Sequence, residues 1–198
     1  MKNLNSRPGI TQFIAFLLLC AVGGCTPTTQ LGTSWRDPAA SPLAFKKVVV
    51  VVLNSTPGER RAQEDALVGQ IKKATAVPSY TLVPDDELAN RDKAKDRIIR
   101  AGFDGLVVLR LLASREESYY VPGSTNYWTD REGYVPYSSG YQVTDTIIRA
   151  EVSLYTVPEG KLLWVGTSTT SNPANARDFA VQVASAAAVE LRNQGLLQ

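Results

Sequence analysis

Lys46 to Leu53 reads KKVVVVVL, and this stretch decides the fold class. Five consecutive valines leave no polar face, so it predicts a central strand covered on both sides, as in α/β sheets. Asn54 and Ser55 end the strand. Thr56-Pro57-Gly58-Glu59 then has the form of a capping box, with Thr as N-cap, Pro at the first helical position and Glu at the third. The pattern predicts a helix running to about Ala74, with Leu67, Ile71 and Ala74 on one face. Arg60, Arg61, Glu64 and Asp65 read as solvated residues making a few helical ion pairs.

Downstream, Ser79 to Val83 reads as a short second strand between Pro78 and Pro84. Asp85-Asp86-Glu87 follows a proline and precedes Leu88, which favours a helix start over a metal site. A second helix is expected from about Asp92 to Ala101, stopped by Gly102. Leu106 to Leu112 (LVVLRLL) is a third buried-type strand, interrupted by Arg110, so one face near its end is exposed or supplies an ion-pair partner. Val143 to Tyr155 alternates between a dry and a wet face, as an antiparallel strand does. Pro158-Glu159-Gly160 turns it into Lys161 to Thr169, making a hairpin. Asn172-Pro173 opens a last helix, from about Ala174 to Asn193, with Phe179, Val183, Ala187 and Leu191 inward. The expected fold is a single α/β sandwich over 45–198, with a mixed sheet of about five strands, three helices and the order β-α-β-α-β-long loop-β-β-α.

The long loop is an insert at 114–142. It carries Tyr119, Tyr120, Tyr127, Trp128, Tyr134, Tyr137 and Tyr141, with Pro122, Pro136 and several Gly and Ser. No helical or strand period runs through it, and structureless loops this long are functional or disordered. Tyr with Ser and Gly is the palette of adaptable recognition loops, so these seven aromatic residues are the candidate binding residues. The plainer reading is a solvated loop with a few rings packed on the sheet. Asp130 and Glu132 offer paired carboxylates for glycosidic cleavage, but one residue apart in a loop they have no fixed geometry.

Upstream of the valine strand, 25–44 is rich in Thr, Ser, Pro and Ala and reads as a tether. Trp35 within it either docks on the domain or lies at the lipid interface, and docking is favoured, since burying an indole removes a large apolar area. Residues 1–24 have the form of a secretory signal: Lys2 and Arg7, then the apolar run FIAFLLLCAV from Phe13 to Val22, which is too short to span a bilayer. Val22-Gly23-Gly24-Cys25 resembles the bacterial lipobox. The resemblance implies cleavage before Cys25, a diacylglycerol on its sulfur and an acyl chain on its new amino group, a stable anchor. The alternative is an ordinary signal peptide cut after Gly24, leaving a free thiol. Thr26 in place of the inner-membrane retention Asp implies the outer membrane, with the domain in the periplasm.

The chain has 198 residues and a formal charge of +2, to which Lys2 and Arg7 contribute, so a processed chain is neutral. That argues against nucleic acid as a partner. There is no histidine, and beyond Cys20 and Cys25 no cysteine. Structural disulfides, Cys/His zinc sites, Ser-His-Asp chemistry and cysteine nucleophiles are thereby excluded from a processed chain. No cofactor or metal is expected.

AGFDGLVVLRL (Ala101 to Leu111), GYQVTDTIIRAEVSLYTVPEGKLLWVGTST (Gly140 to Thr169) and the closing VELRNQGLL resemble a group of small bacterial lipoproteins with no assigned activity. More loosely, the element order is similar to periplasmic domains of the curli secretion lipoprotein, the amino-terminal domain of the Tol propeller protein and penicillin-binding-protein activator lipoproteins. A pore role like the curli protein's needs amphipathic membrane hairpins, which an insert broken by Pro122 and Pro136 does not offer. The reading is a non-enzymatic outer-membrane lipoprotein that binds an envelope protein through the insert. The alternative is peptidoglycan or glycan binding through the same rings.

Overall fold

The valine strand is buried along its length. In the computed structural model, which describes residues 28–123, 126–130, 133–137 and 140–197, Val48 to Val52 are all 7% exposed or less. They belong to β2 (Lys47–Leu53), inside a mixed sheet of six strands rather than five. The others are β1 (Thr29–Arg36), β3 (Thr75–Pro78), β4 (Gly105–Val121), β7 (Tyr141–Thr156) and β8 (Leu162–Ser171), in the spatial order β1-β8-β7-β4-β2-β3. β2 runs parallel to β3 and β4, and the rest pair antiparallel. The helices are α1 (Pro57–Gln70), the short α2 (Asp85–Leu88), α3 (Arg91–Arg100) and α4 (Ala176–Asn193), four among the described residues.

Alternate valines face opposite layers, as the pleat requires. Val50 and Val52 join Leu67 of α1, Leu109, Val152, Trp164 and the Phe179 face of α4 in one core. Val49 and Val51 join Val83, Ala94, Ile98 and Phe103 in another, beneath α3. The parallel part of the sheet is thus covered on both faces. Trp164 is fully buried, and a Cβ at Gly166 would stand 2.4 Å from its ring, so the indole occupies the space a side chain there would need.

Five expectations are corrected. The Thr26–Ala44 tether contains an edge strand: β1 pairs with β8 from Thr29↔Thr170 to Arg36↔Trp164, and the Thr29 and Thr170 hydroxyls lie 2.6 Å apart. Thr and Ser suit a half-solvated edge strand as well as a linker, which is why composition misled. Trp35 is not docked; opposite Val165 on that edge it stays 48% exposed. α1 stops at Gln70, because Ile71 is already extended and the chain must reach Thr75 to pair beside Lys47. The second strand is Thr75–Pro78, and Ser79–Thr81 is a 3-10 turn. The last helix is capped by Asn175, whose side chain accepts from the Asp178 N–H, rather than by Asn172.

The turn at Ser79 is held by a buried acid. Glu64 is fully buried, and Arg60, one helical turn before it, is 3% exposed. Glu64 Oε1 accepts from the Val52 N–H at 3.0 Å, Arg60 Nε at 2.9 Å and Ser79 Oγ at 2.7 Å, and Oε2 accepts from the Tyr80 N–H at 3.1 Å. Arg60 also donates to Ser79 Oγ at 2.8 Å and to Asp85 at 2.5 Å, and Asp85 takes Arg61 at 2.9 Å. These residues are therefore not simply solvated. The capping box forms as expected, with Thr56 and Glu59 bonded reciprocally.

Removing one partner of a buried pair strands the other. Glu64→Leu is expected to cost about 3–5 kcal/mol, read as a lowered urea midpoint at unchanged slope. Glu64→Gln, which keeps the volume and one carbonyl acceptor, is expected to cost less.

Candidate functional site

The insert is a built structure, which corrects the loop reading. β4 and β7 continue past the sheet as a two-stranded ribbon, paired from Glu116↔Thr146 to Val121↔Tyr141. Pairing of β2 with β4 ends at Leu53↔Arg110, and that of β8 with β7 at Ile147↔Ser171. From Glu116↔Thr146 outward, six residue pairs stand with no third strand, an arm of about 20 Å at 3.3–3.4 Å per residue. β5 (Asn126–Asp130) and β6 (Gly133–Tyr137) form a separate antiparallel hairpin in the segment between the arm's two strands.

Two features set the arm's base. Between Leu111 and Ala113 the β4–β7 register shifts, leaving Leu112 as an extra residue, 47% exposed. Such a bulge bends a strand and increases its twist, here where the ribbon leaves the sheet. On the other side, Asn172 sits in the left-handed region at φ 48°. Its N–H donates to the Thr146 carbonyl at 2.8 Å, its side-chain oxygen accepts from the Thr146 N–H at 2.8 Å, and its amide donates to Asp145 at 2.8 Å.

Register assigns the side chains to faces, because directly opposed residues point the same way. Tyr119 opposes Val143, and Val121 opposes Tyr141, so two tyrosines and two valines share one face. Tyr119 is 50% and Tyr141 62% exposed. Tyr120 lies on the other face, 63% exposed, and its ring runs over Gly140, where a Cβ would meet the phenol oxygen. Ser118 and Thr144, on that face, have hydroxyls 2.8 Å apart.

Of the remaining candidates, Tyr127 and Trp128 fall in β5, opposite Pro136 and Val135, while Tyr134 and Tyr137 fall in β6. Asp130 closes β5, and Glu132, like Cys25 and the signal segment, lies outside the described residues. Asp85, Asp86 and Glu87 do begin a helix, α2. Glu87 pairs with Arg97 at 2.6 Å, and that hydrogen bond holds its carboxyl below the usual carboxylate range. Arg110 pairs loosely with Glu151 at 3.9 Å. Among the described residues no group of three or more His, Cys, Asp and Glu is placed to hold a metal, and no helix is long and apolar enough to cross a membrane.

No protein-family model matches the chain, and no curated protein does. Among solved structures it is similar to PelC dodecamers from Paraburkholderia phytofirmans. A point variant of that protein matches with a TM-score of 0.45 at 14% identity, covering 80% of this chain and 93% of PelC. A second crystal form matches with a TM-score of 0.43 at 14% identity, over 80% and 94%.

A two-stranded ribbon contributes little to its parent's stability. Replacing residues 119–143 by an Asn-Gly turn, which suits a two-residue hairpin connection, is expected to leave the unfolding free energy within about 1 kcal/mol. Urea unfolding of the full chain and the shortened chain checks it; a larger loss would make the arm part of the core fold.

Proposed function

We propose that this chain is a non-enzymatic envelope lipoprotein, anchored through lipid on Cys25 to the outer membrane, whose periplasmic domain binds an envelope protein with the arm. The observation that carries the reading is the face formed by Tyr119, Val121, Tyr141 and Val143, displayed on a ribbon that packs on no other strand of the sheet. Interface energy concentrates in aromatic anchors that a partner can enclose. Tyrosine suits this because it carries a large rigid surface with two rotatable bonds and a polar tip. The anchor itself is supported by the lipobox Val22-Gly23-Gly24-Cys25 behind a short apolar run.

In-cell crosslinking followed by mass spectrometry tests the arm. The intact chain is expected to capture a defined envelope protein that the chain shortened at 119–143 loses. Tyr119→Ser with Tyr141→Ser should weaken capture by about tenfold or more, as loss of interface anchors does. Equal capture by all three forms sinks the reading. Cosedimentation with purified peptidoglycan, retained only by the intact arm, would replace the protein partner by glycan.

A further inference from the structure

At the end of the sheet opposite the arm, an apolar cleft of about 290 Å³ opens between α1, α4 and the strands. Its floor is Val48, Val107 and Leu154, at the start of β2 and β4 and the end of β7. Phe45, from the segment leading into β2, closes one side. The helix layer is incomplete here for two reasons. α1 ends at Gln70, and over the gap α4 presents the small Ala184, Ala187 and Ala188, with Leu191 and Arg192 a turn further on. Close-packed interiors seldom leave voids much larger than a water molecule, and an apolar void of this size lies near the lower end of ligand pockets, about 300–1,000 Å³.

The charged side chains of the described residues that line the mouth are basic. Lys72, Lys73 and Arg192 border it with their side chains exposed, and among the described residues no Asp or Glu lines the cleft. Lys72 also donates to the Gly69 carbonyl, which holds its stem along the end of α1. An apolar cleft of this volume, with cations at its edge, matches an amphiphile with a single tail and an anionic head.

We propose that this cleft is a binding site for a free fatty acid, chain inward along Val48, Val107 and Leu154, carboxylate at Lys72 and Arg192. The site is independent of the arm and of its partner. Affinity comes from the chain, at about 0.8 kcal/mol per methylene removed from water, and the head-group preference comes from the rim. The volume admits one chain, so a phospholipid with two is a poor fit.

Equilibrium dialysis of the full chain in a steroid-based detergent, which offers no straight alkyl tail, tests this with radiolabelled dodecanoate. One saturable site is expected, weakened roughly tenfold for decanoate, which lacks two methylenes. Ala188→Phe should abolish binding by filling the cleft. Lys72→Glu with Arg192→Glu, both on the surface, should weaken dodecanoate about tenfold, one 1.4 kcal/mol step, while leaving dodecanol within about twofold. Absence of saturable binding, no dependence on chain length, or equal affinity for dodecanoate, dodecanol and dodecyltrimethylammonium would each overturn the proposal. So would retention of binding by a folded Ala188→Phe chain.

Discussion

The carboxylate of Glu64 is the point through which separate parts of the chain are tied. It has no contact with water, and accepts hydrogen bonds from β2, from the side chain one turn back on α1, and from two residues of the turn after β3. A buried acid is costly unless its lone pairs are met, so the tie is specific: α1 can seat on the sheet only when Val52, Arg60, Ser79 and Tyr80 arrive together. The short β3 is kept at the edge of the sheet by the same bonds that end it. Asp85 extends the tie to α2 through Arg60 and Arg61. The position of α1, and hence the wall of the cleft, follows from an ionic contact as much as from Leu67 beneath the helix.

Much of this was legible in the residues. A run of five valines can only be a strand wet on neither side, and Thr56 to Glu59 marks a helix start by chemistry alone. The hairpin of β7 and β8 and the inward face of α4 were legible too, since their apolar periods are clean. The Arg60–Glu64 pair was not, because an i,i+4 ion pair is written identically whether it is solvated or sealed beneath a turn. What buries it is the arrival of Ser79 and Asp85, a tertiary event. The 3-10 turn was missed for the same reason.

The arm illustrates a different limit. Alternation is visible when one face of a strand is dry; a ribbon solvated on both faces has no apolar period to find. From Ser114 to Tyr120 every residue of β4 is exposed, so its pattern of Arg, Glu, Ser and Tyr looks like a loop. Its candidate residues were recognisable by type, but only register shows which share a face. Tyr119 and Tyr141 are 22 residues apart in sequence and neighbours on the ribbon, while Tyr120, adjacent to Tyr119, points the other way.

The edge strand β1 has a mechanical meaning for a chain anchored as proposed. With 25–44 as a tether, the domain would roam a wide shell above the bilayer. Because Thr28 already bonds to the sheet through Ser171, and lies only three residues along the chain from Cys25, the connection has a reach of at most about 10 Å. With lipid on Cys25, so short a reach would keep the domain beside the headgroups and restrict its tilt. A ligand or partner in that thin layer would then be met at a high local concentration.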